Sequence, residues 1–406
     1  MTRPMFTIAI PSKDRPARLA ASIRSVLQQT YTDLEVIVCD NSGESGVAAT
    51  GAVVGSFDDP RLQYVRTSGN LSMPDNWERA LRDARGQYVG ILTDRSVLRR
   101  DALELVSAEI ERTGAQVVCW FPDQYGRDPA GSIYRQRQCS LKRVQFESAD
   151  LLNYFLHGHP KYCGKLLPKL MTAVCRRDVI DKVRAAHGRI CAPVCPDFTS
   201  GYLMLAFSQS VLLIDDALFV SCGMGNGSSF RRKGPLAEQF MADLGLTWRQ
   251  IVDRMPTEAC FTHALVMNDF SRIREALPDQ FGRFEFDRGQ YYLGCLSDYA
   301  KAARGGVDGT EDLDILMDGL NREPVAIQDA VRSKRLYLGS VLQLPNSPQA
   351  TGPADAQEEP DPADDPATLR FTTVFEALAW AEQHPRTPMA GGMILTMPML
   401  DTMETW

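Results

Sequence analysis

The sequence predicts an α/β fold: a mostly parallel sheet flanked by helices, followed by a helical C-terminal region. Two patterns predict it. Over the first part of the chain, short apolar runs alternate with stretches whose apolar residues recur at helical spacing. Beyond Pro235 the runs give way to helical periodicity alone, as in FDRGQYYLGCLSDYAKAA and PVAIQDAVRSKRLYLGSVLQL.

The elements follow in order. FTIAI (6–10) is a short apolar run suited to a buried parallel strand. In the next stretch Leu19, Ile23, Val26 and Leu27 form one helical face, with Asp14 as candidate N-cap and Pro16 in the first turn. LEVIVC (34–39) is the second strand, stopped by the turn residues Asp40, Asn41, Ser42 and Gly43. LQYV (62–65) is the third. DNWERALRDA reads as a helix ended by Gly86, and YVGIL (88–92) as the fourth strand. A helix over 102–112 and the strand QVVCWF (116–121) complete the alternation. From about Ser140 the pattern is mixed, and Asp215-Asp216 reads as a hairpin turn between apolar runs.

Four segments result: 1–234 as the α/β domain, 235–344 as the helical region, 345–367 as an acidic Pro-rich linker, and 368–406 as a tail. The linker holds Asp355, Glu358, Glu359, Asp361, Asp364 and Asp365 without a nearby Lys or Arg, so it is expected to stay extended and protease-sensitive. The tail regains apolar residues and is expected to dock as a short helix and a strand.

A net charge of -7 argues against a general nucleic-acid binder. No signal-peptide pattern and no apolar run of roughly 18 residues is visible, so no spanning helix is expected. The ten cysteines then read as reduced thiols in the cytoplasm. Peripheral membrane contact stays open.

The stretch IAIPSKDRPARLAASIRSVLQQTYTDLEVIVCDNSG, with NWERALRDARGQYVGILTD after it, resembles the N-terminal signature of family 2 glycosyltransferases. These are inverting enzymes of the GT-A fold, a Rossmann-like nucleotide-sugar-binding architecture. The likeness is strong over residues 6–98, looser to about Phe230, and absent beyond.

The resemblance implies a donor site and a base. Asp40 matches the carboxylate that accepts a hydrogen bond from a uracil-type base. Pro11 and Ser12 would contact the nucleoside, with Asp14 and Arg15 close by. Asp94 matches the first acid of the family's Asp-x-Asp motif, which touches ribose or a divalent metal, Mn²⁺ or Mg²⁺. The motif is incomplete here, because Arg95 and Ser96 follow. Read on their own, Asp14 is equally an N-cap and Asp40 equally a turn residue. Asp197, in CPDFTSGYLML, lies at the separation from Asp94 where the family carries its catalytic acid. It precedes a helical pattern whose N-terminus favours an ionised carboxylate; a plain N-cap role, with Thr199 and Ser200 as competitors, is the alternative.

Arg95 suggests a different device. An arginine is always charged and its planar fork bonds two phosphate oxygens at once. One reading has Arg95 take over part or all of the metal's role, joined by Arg231 or Arg232 from the glycine-rich stretch GMGNGSSFRRKG; the alternatives are an Arg95 that points to solvent or pairs with a surface acid while Asp94 holds a metal as a lone ligand, and a solvated basic turn at Arg231-Arg232-Lys233. Between 157 and 195 lie His157, His159, Cys163, Cys175, His187, Cys191 and Cys195, a set zinc would accept, but without a Cys-x-x-Cys pair buried free thiols are the expectation.

The expected activity is transfer of a sugar from a nucleoside-diphosphate sugar, a UDP-sugar foremost, to a hydroxyl acceptor with inversion, in polysaccharide or glycolipid synthesis. The alternative is a GT-A-like protein that binds nucleotide or glycan without turnover.

Overall fold

A computed structural model describes residues 3–67, 70–128, 131–157, 166–222, 235–304, 308–339 and 369–388. The chain forms two compact units. The first comprises Met1–Leu151, Pro168–Asn226 and Asp361–Trp406, the second Leu152–Leu167 and Gly227–Pro360.

The first unit is built on one sheet. Its strands in chain order are β1 (Phe6–Ser12), β2 (Leu34–Asp40), β3 (Leu62–Arg66), β4 (Tyr88–Ile91), β5 (Ser96–Leu98), β6 (Val117–Asp128), β7 (Gly131–Arg135), β8 (Arg143–Glu147), β9 (Ala173–Arg176) and β10 (Ser210–Cys222). The spatial order is β3-β2-β1-β4-β9-β6-β10-β5, with β7 on β6 and β8 on β10. β3, β2, β1 and β4 are mutually parallel. β9 then runs antiparallel between β4 and β6, and β6 and β10 are again parallel.

β1 and β2 are buried throughout, which is why both read as continuous apolar runs rather than alternating ones. Helix α1 (Pro16–Leu27) lays Leu19, Ile23 and Val26 on a core that includes Phe6, Ile8, Ile10, Val36 and Val38. Each such side chain contributes about 1.5–3 kcal/mol of burial. Pro16 does occupy the first turn, but the N-cap is Arg15, not Asp14. Asp14 has φ 55° and turns away to accept a hydrogen bond from the Gly43 amide at 3.1 Å. That amide opens a helix α2 (Glu44–Gly55) which the sequence pattern did not single out, because its Gly- and Ala-rich stretch has no pronounced apolar face.

Two local expectations are corrected. The helix after β3, α3 (Met73–Ala80), ends before Gly86. Gly86 serves a close approach instead: a Cβ there would lie 2.4 Å from the Thr7 backbone nitrogen. Asp215 and Asp216 form no hairpin turn, because β10 runs through them as one strand with a register shift against β6. The bulge buries both acids against partners from other elements. Asp215 accepts from the Ser140 amide and hydroxyl, and Asp216 pairs with Arg99 at 2.8 Å.

The described part of the tail docks on this unit. Leu369 bridges to Tyr134, and Val374–Gln383 is a helix with a Thr373/Glu376 capping box. Ala377 and Leu378 pack with Val97, Tyr134 and Val220. Arg386 reaches a buried pocket, pairing with Asp123 and with Asp216 and donating to the Arg137 carbonyl. The expected linker and the tail beyond 388 lie outside the described residues.

The second unit is helical, with Thr262–Ala276 and Arg288–Arg304 at its centre. Gly294 lies against the His263 ring, where a Cβ would come within 2.3 Å of Cδ2. Gly294→Ala forces the ring off its rotamer, and we expect a loss of about 1–3 kcal/mol in denaturant unfolding. An unchanged unfolding midpoint would show that the helices separate freely at this point. Among the described residues, no helix is long and apolar enough to cross a membrane.

Candidate functional site

β1 and β4 are parallel neighbours, and both chains leave the sheet at the same edge. The Leu92 amide still bonds to the Ala9 carbonyl at 2.9 Å, so the residues after each strand end up side by side. There Ser12 Oγ donates to Asp94 Oδ2 at 3.0 Å, and Arg15 Nη1 to Asp94 Oδ1 at 3.2 Å. Asp94 is 3% exposed, whereas the Arg15 side chain is half exposed. Both oxygens of the carboxylate are therefore engaged by the protein. Pro11 is buried inside β1, one residue before this cluster.

Arg95 is half-buried beside it. Its guanidinium has no hydrogen-bond or ion-pair partner among the described residues. Burial, then the like charges of Arg15 and Arg18, lower its proton affinity from the usual guanidinium value, with Asp94 opposing. Arginine nonetheless stays protonated near neutrality. Its backbone is fixed, since the Arg95 carbonyl accepts from the Cys222 amide at the end of β10. Arg231 and Arg232 follow that strand end in the chain and lie outside the described residues.

Asp40 closes β2 and is fully buried. Its Oδ1 accepts from the Ser42 amide at 2.8 Å and its Oδ2 from the Tyr64 hydroxyl at 2.6 Å, with Arg66 at 3.9 Å. Tyr64 is 40% exposed. Burial and the Asp40 carboxylate push the phenol up to about 12, so it remains a donor. Asp14 stands next to this strand end through Ser42, whose hydroxyl accepts from the Asp14 amide.

α3 ties these strand ends to the second half of the unit. Asn76 Nδ2 lies 3.5 Å from the Ser12 carbonyl, while its buried Oδ1 has no hydrogen-bond partner among the described residues. Two residues on, Glu78 accepts from the Ile190 and Cys191 amides and from Arg184. That loop leads into the helix Pro196–Phe207, which carries Asp197 in its first turn. The side chain of Asp197 pairs with Lys169 at 3.3 Å, and its carbonyl accepts from Ser200. Leu170, next to Lys169, accepts from the Ile91 amide of β4, so this helix start is anchored to the strand that leads to Asp94.

The sequence reading thus finds Ser12, Arg15 and Asp94 in direct contact, Asp40 and Asp14 at the neighbouring strand end, and Asp197 on a helix N-terminus. It missed Asn76, Glu78, Tyr64 and Lys169. Asn76 and Glu78 lie on different sides of a short helix, and sequence alone has no means of separating a solvated polar residue from a tether. The cysteines at 175 and 191 are buried free thiols and Cys195 is partly buried; His159 and Cys163 lie outside the described residues.

The sequence profile of glycosyl transferase family 2 matches residues 7–183, a span that contains every strand end just described up to β9. The chain carries a family 2 glycosyl transferase domain. Chondroitin synthase of Escherichia coli is 28% identical to it over 130 residues, 32% of this chain and 18% of that synthase. A UDP-Glc:α-D-GlcNAc-diphosphoundecaprenol β-1,3-glucosyltransferase of Escherichia coli is 28% identical over 101 residues, 25% of this chain and 39% of the relative. The chain thus matches well under half the length of either relative. Among solved structures, S. aureus TarS in complex with UDP-GlcNAc is similar at a TM-score of 0.44 and 14% identity, over 82% of this chain and 92% of that one.

Proposed function

We propose that the family 2 domain transfers a sugar from a nucleoside-diphosphate sugar to a hydroxyl acceptor with inversion of the anomeric centre. The observation that supports this most is the cluster of Ser12, Arg15 and Asp94 at the carboxyl ends of adjacent parallel strands, where sheets of this class bind ligands. A UDP-sugar is the first donor to test and a lipid-linked glycan the first acceptor, because a relative is named for that pair. Such an acceptor would bring the domain into peripheral contact with a membrane.

The chemistry is a single displacement. The acceptor oxygen forms a bond to the anomeric carbon while the bond to the diphosphate oxygen breaks, and that electron pair stays on the phosphate. The acceptor proton passes to a carboxylate, which we assign to Asp197. Its ion pair with Lys169 holds the carboxylate at the helix start until a hydroxyl takes a place beside it.

The test is donor hydrolysis and transfer by the purified full chain across UDP-, GDP- and dTDP-sugars. Turnover of at least one donor with inversion is expected. Nucleotide binding without hydrolysis or transfer of any donor would replace this reading with the second one, a nucleotide- or glycan-binding protein. What favours that second reading is that Arg95 and Ser96 follow Asp94 where further acids would complete the motif, and that each Asp94 oxygen already accepts a bond from the protein.

Within the donor site we assign the base contact to Asp40. A base N–H reaches its Oδ2 by displacing the Tyr64 hydroxyl. A charge-assisted bond of this kind is worth roughly 1.5–3 kcal/mol, so Asp40→Ala should weaken UDP binding about tenfold or more. Tyr64→Phe removes the competitor and should leave affinity equal or higher. Calorimetry on folded Asp40→Ala that returned wild-type UDP affinity would sink the assignment.

A further inference from the structure

The GT-A fold ordinarily answers the charge on a leaving diphosphate with a divalent cation held by clustered acids. The residues present here do not fit such an ion. Asp94 is the lone acid at the strand end, and Ser12 and Arg15 already occupy both of its oxygens. Among the described residues, no group of three His, Cys, Asp or Glu side chains is placed to hold a metal. A hard dication needs several oxygen ligands, and fixed positive charge beside it raises its energy further.

What the site does hold is a cation with no hydrogen-bond or ion-pair partner among the described residues. We propose that Arg95, flanked by Arg15 and Arg18, binds the donor's diphosphate and takes the place of the divalent cation. The inference rests on the glycosyl-transfer reading for its catalytic half and on phosphate recognition alone for its binding half.

Three observations carry it. Arg95 is half-buried, yet its guanidinium makes no ion pair or hydrogen bond among the described residues. It follows β4, whose neighbour β1 ends in Ser12, on the sheet edge where folds of this class bind ligands, and it lies close enough to Arg15, Asp94 and Arg18 to feel their charges. Its backbone is clamped to β10 through Cys222, which fixes the point from which the side chain extends. A guanidinium held there meets two phosphate oxygens with its fork. As the bond from the anomeric carbon breaks, the phosphate oxygen that gains the electron pair is stabilised by a charge already in position. Arg15 stays paired with Asp94, and its half-exposed guanidinium adds positive charge beside the same anion without leaving that pair.

The test uses the full chain with UDP as probe. UDP affinity by calorimetry, and turnover of whichever donor the panel yields, are measured in excess EDTA and with added Mn²⁺. Wild type, Arg95→Ala and Arg95→Lys are compared. EDTA should leave wild-type affinity and turnover within about twofold. Arg95→Ala should lower turnover by about 10²–10³-fold, the loss typical of one pre-positioned electrostatic group, with weaker UDP binding that Mn²⁺ does not restore. Arg95→Lys, which keeps the charge without the fork, should fall between them, and it serves where the alanine variant fails to fold. Wild-type binding or turnover that requires metal overturns the proposal, as does unimpaired UDP binding in folded Arg95→Ala. If no donor is turned over, the binding measurements still decide it: metal-independent UDP binding lost with Arg95 supports the anion site even though the transfer reading has failed.

Discussion

Asp197→Asn lowers turnover by about 10²–10⁴-fold and leaves UDP affinity within about twofold. The range is that of a positioned general base, and the amide keeps the shape of the side chain while removing its basicity. The location suits the task. Asp197 lies in the first turn of the helix Pro196–Phe207, where the exposed amide ends favour an anion. Glu78 and Leu170 fix that helix start to α3 and β4, so loss of activity on substitution would not stem from a loose loop. The bland alternative is an acid that serves only its ion pair with Lys169. The two separate cleanly: Lys169→Met breaks the pair but spares the base, so it should retain far more turnover than Asp197→Asn. Equal losses in both, or near wild-type turnover in Asp197→Asn, would remove Asp197 from the mechanism.

Arg386→Ala costs about 3–5 kcal/mol of stability, because it leaves buried carboxylates without their cation. Asp123 is 3% exposed and meets Arg386, the Tyr134 hydroxyl at 2.5 Å and the Arg137 amide at 2.7 Å. Asp216 is shared between Arg386 and Arg99. Arg99 remains in the variant, so the loss falls mostly on Asp123. The helix Val374–Gln383 is attached by few other polar groups, and its amides should lose hydrogen-exchange protection before the sheet does. The double variant Asp123→Asn/Arg386→Ala should cost less than the sum of the single changes, since neither charge is then left alone. Additive losses, or a tail helix that keeps its protection in Arg386→Ala, would show that apolar packing by Ala377 and Leu378 holds the segment unaided.

Much of the first half of the fold was legible because its signals are local. β1 and β2 are buried on both faces and so are apolar without interruption, and α1 repeats Leu19, Ile23 and Val26 at the period that faces a sheet. Ser12, Arg15 and Asp94 lie at or just after the ends of β1 and β4, and it was the resemblance to family 2 glycosyltransferases that named them together. Capping was less legible. Asp14 stands where an N-cap of α1 belongs, yet it bonds to the Gly43 amide, a choice made by the neighbouring strand end.

By itself the sequence determined the alternation of strands and helices, the acids that follow the strand ends, and the arginine next to Asp94. Periodicity records which face of an element meets apolar surroundings, and that is a property of each segment alone. The tertiary structure decided who neutralises whom. Asp215 and Asp216 look like a turn in the chain and become a buried bulge, because Ser140, Arg99 and Arg386 arrive from other elements to satisfy them. Arg386 looks like one more exposed cation after a short helix and closes a pocket of the first unit. A buried charge is tolerable only beside its partner, and partners far apart in the chain meet only once the fold has formed. The same reasoning sets Arg95 apart. Its position was written in the sequence, but that it remains half-buried with no partner among the described residues is something only the folded chain reveals.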